Sequence, residues 1–141
     1  MQARRLRTPG DIKATSPTAL AKARIVTTTD VDYLTRAADN TNALLRMCVI
    51  DNPLAPLPVV LQLARDPDLD VRAYVAWQRL TETHQAPLEI IETLAADDEP
   101  YIRLAVASYG QAPRHVLVRL AADDDVEVRR MIARRPDVPE D

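Results

Sequence analysis

Apolar residues recur along this chain in a pattern that repeats three times in one register. In each copy a Leu-Ala pair, which begins at Leu63, Leu94 or Leu120, precedes an acidic stretch and then a Val-Arg or Ile-Arg pair. A proline stands seven residues before each of these leucines. Proline suits the first residue of a helix, because the N–H that it lacks has no helical partner there. Self-similarity with this period predicts a stack of repeated helical units.

Each copy predicts two short helices. Apolar residues at i, i+1, i+4 and i+5 form one face of the first helix; they are Val59, Val60, Leu63 and Ala64, then Ile90, Ile91, Leu94 and Ala95, then Val116, Leu117, Leu120 and Ala121. The second helix is predicted to bury the pairs Val71 and Val75, Ile102 and Val106, and Val128 and Ile132. Because neither helix can bury its face alone, neighbouring pairs are expected to stack into a continuous core.

Acidic residues mark the predicted start of each second helix. Asp66, Asp97 and Asp123 are each expected to act as its N-cap. Pro67 would then be the first helical residue in its copy. An arginine follows each of these aspartates by six residues, at Arg72, Arg103 and Arg129. One Asp and one Arg per copy predict a cap and a ladder that links neighbouring units, rather than a catalytic or anion-binding site.

The repeat also predicts the organisation of the whole chain. The fold class is all-α: an α-solenoid of about four short two-helix repeats with an N-terminal helical cap. The units are expected at about residues 30–55, 56–86, 87–112 and 113–139, within a single domain over 16–141 that follows a basic arm over 1–15. The first unit is a fainter copy, with Arg46 in the arginine register and Asp30 able to cap its first helix.

Two segments fall outside the regular copies. Ser16-Pro17 begins another helical pattern, with Ala19, Leu20, Ala23 and Val26 as its apolar residues. It is expected to cover the N-terminal end of the stack. Five extra residues around Arg79–Gln85 either lengthen a second helix or form a loop. At the other end the sequence predicts no cap over the last unit.

The repeat resembles a known family. The sequence Leu-Ala-x-Asp-Pro-Asp-x-x-Val-Arg-x-x-Val-Ala over 63–76, together with the connector over 52–56, is similar to the leucine-rich repeat variant family and to the broader HEAT-like α-solenoids. The resemblance covers about residues 30–139, although Asp98 and Asp124 replace Pro67 in the later copies. It implies a binding scaffold, and second helices that can take a tight 3₁₀ form. The 26-residue spacing is short for HEAT units, which favours the variant family.

Charge divides the chain into two parts. Residues 1–29 contain six basic residues and one acid, whereas residues 30–141 contain twelve arginines and twenty acids. The basic arm could bind nucleic acid through Arg4, Arg5, Arg7 and Lys13, could recruit an acidic partner, or could fold back on its own acidic body. The arm lacks the apolar stretch of a signal peptide, and no window predicts a membrane span. We therefore expect a cytoplasmic protein.

Few residues suggest catalysis or metal binding. The single cysteine, Cys48, excludes an intramolecular disulfide framework and a cysteine-rich zinc site. It lies beside the apolar face and is expected to be a small core residue. His84 and His115 lack the spacing of metal ligands, and the sequence has no phosphate-binding glycine loop. We predict no enzyme activity, no cofactor and no metal.

Residues that the repeat does not require are the best candidates for a binding site. A rotation of 100° per residue turns Trp77, Tyr101 and Leu104 away from the core, along the ridge of successive second helices. Arg130 and Arg134 would flank this apolar patch. An exposed apolar patch beside arginines is typical of an interface hot spot. The alternative is that the extra segment, through Leu80, covers Trp77.

Two functions of different classes follow. The first is a non-catalytic scaffold that binds another protein through the ridge, with a homodimer through the uncapped C-terminal end as a further possibility. The second is a nucleic-acid-binding protein that uses the basic arm and the arginine-rich last helix. The acidic body argues against an extensive phosphate contact surface, so nucleic acid is the less favoured partner. A DNA-repair enzyme of HEAT-like type is weaker still, because no acid–aromatic pocket can be assigned.

Overall fold

The computed structural model describes residues 16–81 and 85–138, and the regular secondary structure in these ranges is entirely α-helical. Nine helices lie within them: α1 (Pro17–Thr27), α2 (Val31–Ala37), α3 (Ala43–Asp51), α4 (Leu57–Ala64), α5 (Leu69–Arg79), α6 (Leu88–Ala95), α7 (Pro100–Ser108), α8 (Arg114–Ala121) and α9 (Val126–Ala133). The prediction of an all-α fold is confirmed. The three strong copies of the repeat correspond to the pairs α4–α5, α6–α7 and α8–α9.

Successive pairs pack side by side. Within each pair the two helices contact each other, and each second helix contacts the second helix of the next pair, from α3 through α5 and α7 to α9. The first helices α4, α6 and α8 also contact their neighbours in order. Helix α1 packs against α3 at the other end of this row. The core therefore runs between a row of first helices and a row of second helices.

The predicted apolar faces form this core. In the first helices, eleven of the twelve predicted positions are buried, and Ala121 is the exception. In the second helices all six are at most 2 % exposed: Val71, Val75, Ile102, Val106, Val128 and Ile132. Valine, isoleucine, leucine and alanine fill these thin layers, which explains how a chain without phenylalanine builds a continuous core.

The predicted helix starts are wrong by one or two residues. Each first helix begins just after its proline, as at Pro56, whose extended ψ of 148° and whose carbonyl make it the N-cap rather than the first helical residue. Each second helix begins three residues after the aspartate that was expected to cap it, so the N-cap lies two residues after that aspartate. Helix α5 is capped by Asp68, whose side chain accepts a hydrogen bond from the N–H of Asp70, so Pro67 precedes the helix. Asp125 has the same role in α9, whereas Glu99 precedes α7 without a side-chain bond.

The segments outside the strong copies are partly as predicted. Asp30 caps α2 by accepting from the N–H of Tyr33, and α1 begins at Pro17. The predicted apolar face of α1 is wrong, because Leu20 is 59 % exposed and Ile25 is the residue that reaches the core. Helix α5 is longer than α7 by two residues, so part of the extra segment lengthens it. Residues 82–84, which include His84, lie outside the described residues. The second helices are α-helical, not 3₁₀.

Candidate interaction surface

Three arginine–aspartate pairs connect successive helix pairs. The Nε of Arg46, Arg72 and Arg103 donates at 2.8 Å to the Oδ2 of Asp66, Asp97 and Asp123, respectively, each on the following pair. The Nη2 of each arginine donates to the other oxygen of the same carboxylate, at 2.9, 3.4 and 2.9 Å. We call these three ion pairs the arginine ladder. The predicted ladder is confirmed, although its aspartates do not cap helices.

Each ladder arginine also holds its own helix pair. The Nη1 of Arg72 donates at 2.8 Å to the carbonyl of Asp66, the residue six positions before it. Arg103 makes the same bond to the carbonyl of Asp97. The aspartate in turn accepts from a backbone N–H two residues on, as Asp66 does from Asp68 at 2.9 Å. Every ladder arginine therefore forms hydrogen bonds both to the turn within its own helix pair and to the turn within the next pair.

The last rung also shifts ionisation. The side chains of Arg103 and Asp123 are only 11 % and 7 % exposed. The hydrogen bond from Arg103 lowers the pKa of Asp123 below its ordinary value, against a smaller opposing effect of burial. The hydrogen bond to Asp123 likewise raises the pKa of Arg103. Both groups are therefore charged at neutral pH, and the pair depends on Asp123 being ionised.

Acidification is expected to weaken the ladder. A lowered pKa in the folded state means that Asp123 adds stability above its unfolded pKa of about 3.9, and that this stability is lost as pH falls through the folded value. The melting temperature should therefore fall below about pH 4. The Arg103→Ala variant should lose less on acidification, because its Asp123 no longer has the bond that lowers the pKa. Thermal melts of both proteins from neutral to acidic pH test this, and parallel curves would contradict it.

The ridge of second helices exposes two aromatic side chains. Trp77 on α5 is 69 % exposed and Tyr101 on α7 is 66 % exposed. Both line one groove of about 300 Å³, which the small residues Ala73, Ala76 and Ala105 also line. Leu80 lines the same groove without covering Trp77. The described part of the extra segment therefore leaves the tryptophan open to solvent.

A polar network beside Trp77 connects α5 to α3. The ring of Trp77 lies 5.6 Å from the ring of Tyr74, centroid to centroid. The hydroxyl of Tyr74 donates at 2.7 Å to Asp51 on α3, and the amide of Gln78 donates to the same carboxylate at 2.7 Å. Burial and the bond to Asp51 raise the pKa of Tyr74, so its hydroxyl stays protonated. Trp77 thus contacts the ring of Tyr74, which is hydrogen-bonded to the neighbouring helix pair.

The other predicted ridge residues lie apart from the groove. Leu104 is half-buried and packs against the core, so the expectation that it joins the exposed patch is wrong. Arg130 and Arg134 are exposed on α9 and at its C-cap, and Arg130 pairs with Glu127 one turn earlier. Arg4, Arg5, Arg7 and Lys13, proposed above as nucleic-acid contacts, lie outside the described residues.

Sites for chemistry are sparse in the described ranges. Cys48 is half-buried, and burial raises the pKa of its thiol, which makes it a poor nucleophile. No group of three or more His, Cys, Asp or Glu side chains within residues 16–81 and 85–138 is arranged to hold a metal ion. A cavity of about 590 Å³ opens over the Arg72–Asp97 rung, where these two charges already pair with each other. None of the helices described is long and apolar enough to cross a membrane.

One buried polar residue was not singled out from the sequence. Asn52 is 1 % exposed, and its amide nitrogen donates to the carbonyls of Ile25 at 2.8 Å and Thr28 at 2.9 Å. Its Oδ1 accepts from the N–H of Leu54 at 2.8 Å. The residue therefore joins the end of α1 to the turn after α3. Its place directly before Pro53, in the connector, was the available signal.

Comparisons with protein families, curated proteins and solved structures find no match to this chain. The resemblance to the leucine-rich repeat variant and HEAT-like families therefore rests on the repeat itself.

Proposed function

We propose that this chain is an α-solenoid of about four two-helix units that binds another protein, without catalysis, through the ridge of second helices. The helix packing supports this architecture, because the helix pairs contact their neighbours in chain order. The arginine ladder supports it too, because it repeats the same contact from pair to pair. A surface built from repeated helices is the usual binding surface of such proteins.

The observation that carries the proposal is the exposure of Trp77 and Tyr101 over one groove. Leaving two large aromatic side chains in water forgoes the stabilisation that burial would provide. Aromatic side chains of this kind dominate the energy of protein interfaces, where each fills a pocket on the partner. The alanines that line the groove are small, which leaves room for a partner side chain in it. Trp77 also has a ring contact with Tyr74, which is itself anchored to Asp51, and such a contact reduces the freedom that the tryptophan loses on association.

Replacing Trp77 and Tyr101 together by alanine should abolish partner binding and leave the fold intact. Because both side chains are largely exposed, the double variant should keep its helicity and lose no more than about 1 kcal/mol of stability. The measurement compares the proteins that wild type and variant retain from a cell extract, with circular dichroism on both. A photocrosslinking residue at position 101 then tests whether the retained protein touches the groove.

Leu88→Ala is the matched control for this experiment. Leu88 is 48 % exposed on α6, in the row of first helices, and should be dispensable for binding. The proposal fails if the double variant retains the same partner as wild type, or if Leu88→Ala loses it equally.

A further inference from the structure

The last helix pair presents a surface that every earlier pair buries. We call this surface, formed around Ala121, Ala133 and Arg129, the end face. The alanines in register with Ala121 are 1 % and 3 % exposed, and those in register with Ala133 are 3 % and 0 % exposed; they are Ala64 and Ala95, and Ala76 and Ala107. In α8 and α9 the corresponding alanines are exposed. The end face therefore exposes the small residues that are buried against the next helix pair elsewhere in the row, and Ala121 lines a pocket there together with Asp137 and Val138.

Arg129 is the fourth arginine of the ladder register, and it has half of the usual bonds. Its Nη1 donates to the carbonyls of Asp123 at 2.7 Å and Asp124 at 3.0 Å, as the ladder arginines do within their own pairs. Its side chain is otherwise exposed, and no ion pair of Arg129 occurs within residues 16–81 and 85–138. The guanidinium thus makes the ladder bonds to its own turn, while its Nε and Nη2 have no carboxylate partner among the described residues.

The opposite end of the row has no aspartate that could pair with Arg129 of a second copy. Asn40 occupies the register of the ladder aspartates, and its Oδ1 accepts from the N–H of Asn42 at 2.8 Å, as Asp66 does from Asp68. An amide nitrogen therefore stands where the second carboxylate oxygen stands in Asp66. A guanidinium offers only N–H donors and cannot bond to that nitrogen. In head-to-tail stacking of a second copy of this chain, the Nε of Arg129 would lose its acceptor, and only its Nη2 would keep one, the Oδ1 of Asn40.

Charge also favours an acidic occupant. Residues 113–141 contain six arginines and seven acids, whereas residues 87–112 contain one arginine and five acids. The last copy is therefore less acidic than the preceding helix pair, against which it packs. A helix pair with the charge of 87–112 would be attracted to it at long range.

We propose that the end face docks a helical hairpin of another protein, in which an Asp-x-Asp or Asp-x-Glu turn precedes the second helix and its first carboxylate fills the open fork of Arg129. Three internal turns show the chemistry that fits: Asp66-Pro67-Asp68, Asp97-Asp98-Glu99 and Asp123-Asp124-Asp125. In each, the first aspartate accepts both bonds from the arginine, and the third residue gives its N–H to that aspartate. This surface is separate from the groove at Trp77, so the two proposals stand or fall independently.

A peptide with the sequence of residues 87–112 is the probe. It is titrated to about 1 mM into the isotope-labelled full chain, and the amide signals of Ala121 and Ala133 and the Nε–H of Arg129 are followed by NMR. We expect saturable shifts confined to these groups. A peptide carrying Asp97→Asn should bind roughly tenfold more weakly, because a bidentate, charge-assisted contact is lost. The Arg129→Ala chain should show the same loss, with no further loss for the two changes together.

Arg134→Ala is the matched control, since Arg134 is an exposed arginine at the end of the same helix but outside the ladder register. It should bind the peptide as wild type does. The free peptide is short and can fail to fold. A second measurement therefore uses a variant in which a copy of residues 87–112 is joined to the chain after Val138. The melting temperature should rise, and rise less when the added copy carries Asp97→Asn.

Several outcomes would overturn the proposal. One is the absence of both peptide binding and stabilisation by the joined copy. A second is equal binding of the aspartate and asparagine peptides. A third is self-association at the same groups without peptide, which would make a second copy the occupant. A fourth is peptide binding only after removal of residues 139–141, which would mean that the chain covers the face itself.

Discussion

Replacing Arg103 with alanine is expected to lower the free energy of unfolding by about 3 kcal/mol. The change removes two bonds to Asp123 and one to Asp124, and it leaves Asp123 as a nearly buried carboxylate without its cation. Removing one partner of a buried pair costs far more than the pair itself contributes, because the remaining charge stays desolvated. Chemical denaturation of wild type and variant, monitored by circular dichroism, measures the difference.

Arg129→Ala provides an unusually close control for this experiment. Arg129 occupies the same position in its helix pair and makes the same bonds to its own turn, but it has no carboxylate partner among the described residues. Its replacement should therefore cost less than about 1 kcal/mol, as for most surface changes. If both variants lose equal stability, the ladder aspartates contribute nothing and the arginines act only within their own turns.

Asn52→Ala should have the second largest effect, a loss of about 2 to 3 kcal/mol. The substitution leaves three backbone groups without their partner: the carbonyls of Ile25 and Thr28 and the N–H of Leu54. Since two of these groups belong to the end of α1, that helix should loosen before the rest of the chain. Hydrogen exchange should show lost protection in α1 and little change in α7.

Asn42→Ala is the comparison, because Asn42 caps α3 with one hydrogen bond to the N–H of Leu44 at 3.0 Å. Loss of a single helix cap costs about 1 kcal/mol. Equal losses for the two variants would mean that Asn52 is an ordinary turn residue and not a connection between α1 and α3.

The buried faces of the strong copies could be predicted from the sequence because the repeat presents each face three times. Where the pattern occurs once, as in α1, periodicity alone chose Leu20 and Val26, and the structure buries Ile25 instead. A short helix with apolar residues on several sides has no unique face until its neighbours are known. The contact with α3 decides which side of α1 is covered.

The helix caps illustrate a different limit. Asp66 and Asp68 are both good N-cap residues, and nothing local distinguishes them. Which of the two caps the helix depends on Arg46, which lies twenty residues earlier and donates hydrogen bonds to the carboxylate of Asp66. A residue that bonds across helix pairs cannot be separated from a cap by its immediate neighbours in the sequence.

The candidate site could be predicted from the sequence only in part. Trp77 and Tyr101 break the repeat at outward positions, so their exposure follows from helix geometry. Leu104 also lies outside the repeat pattern, but its side chain packs against the core. Asn52 was missed because its partners are backbone carbonyls at the end of α1, which leave no mark on side-chain patterns.

The spacing of the ladder has a consequence for how such a chain can change length. Arg46 and Asp66 are twenty residues apart, as are Arg103 and Asp123, whereas Arg72 and Asp97 are twenty-five apart. The Nε–Oδ2 distance is nevertheless 2.8 Å in all three. The additional residues thus leave the Nε–Oδ2 bond unchanged, although the Nη2–Oδ1 distance is 3.4 Å in the Arg72–Asp97 rung and 2.9 Å in the other two. A five-residue insertion between a ladder arginine and the next first helix is therefore compatible with an intact ladder, whereas the six-residue spacing between each aspartate and its own arginine is the same in all three strong copies.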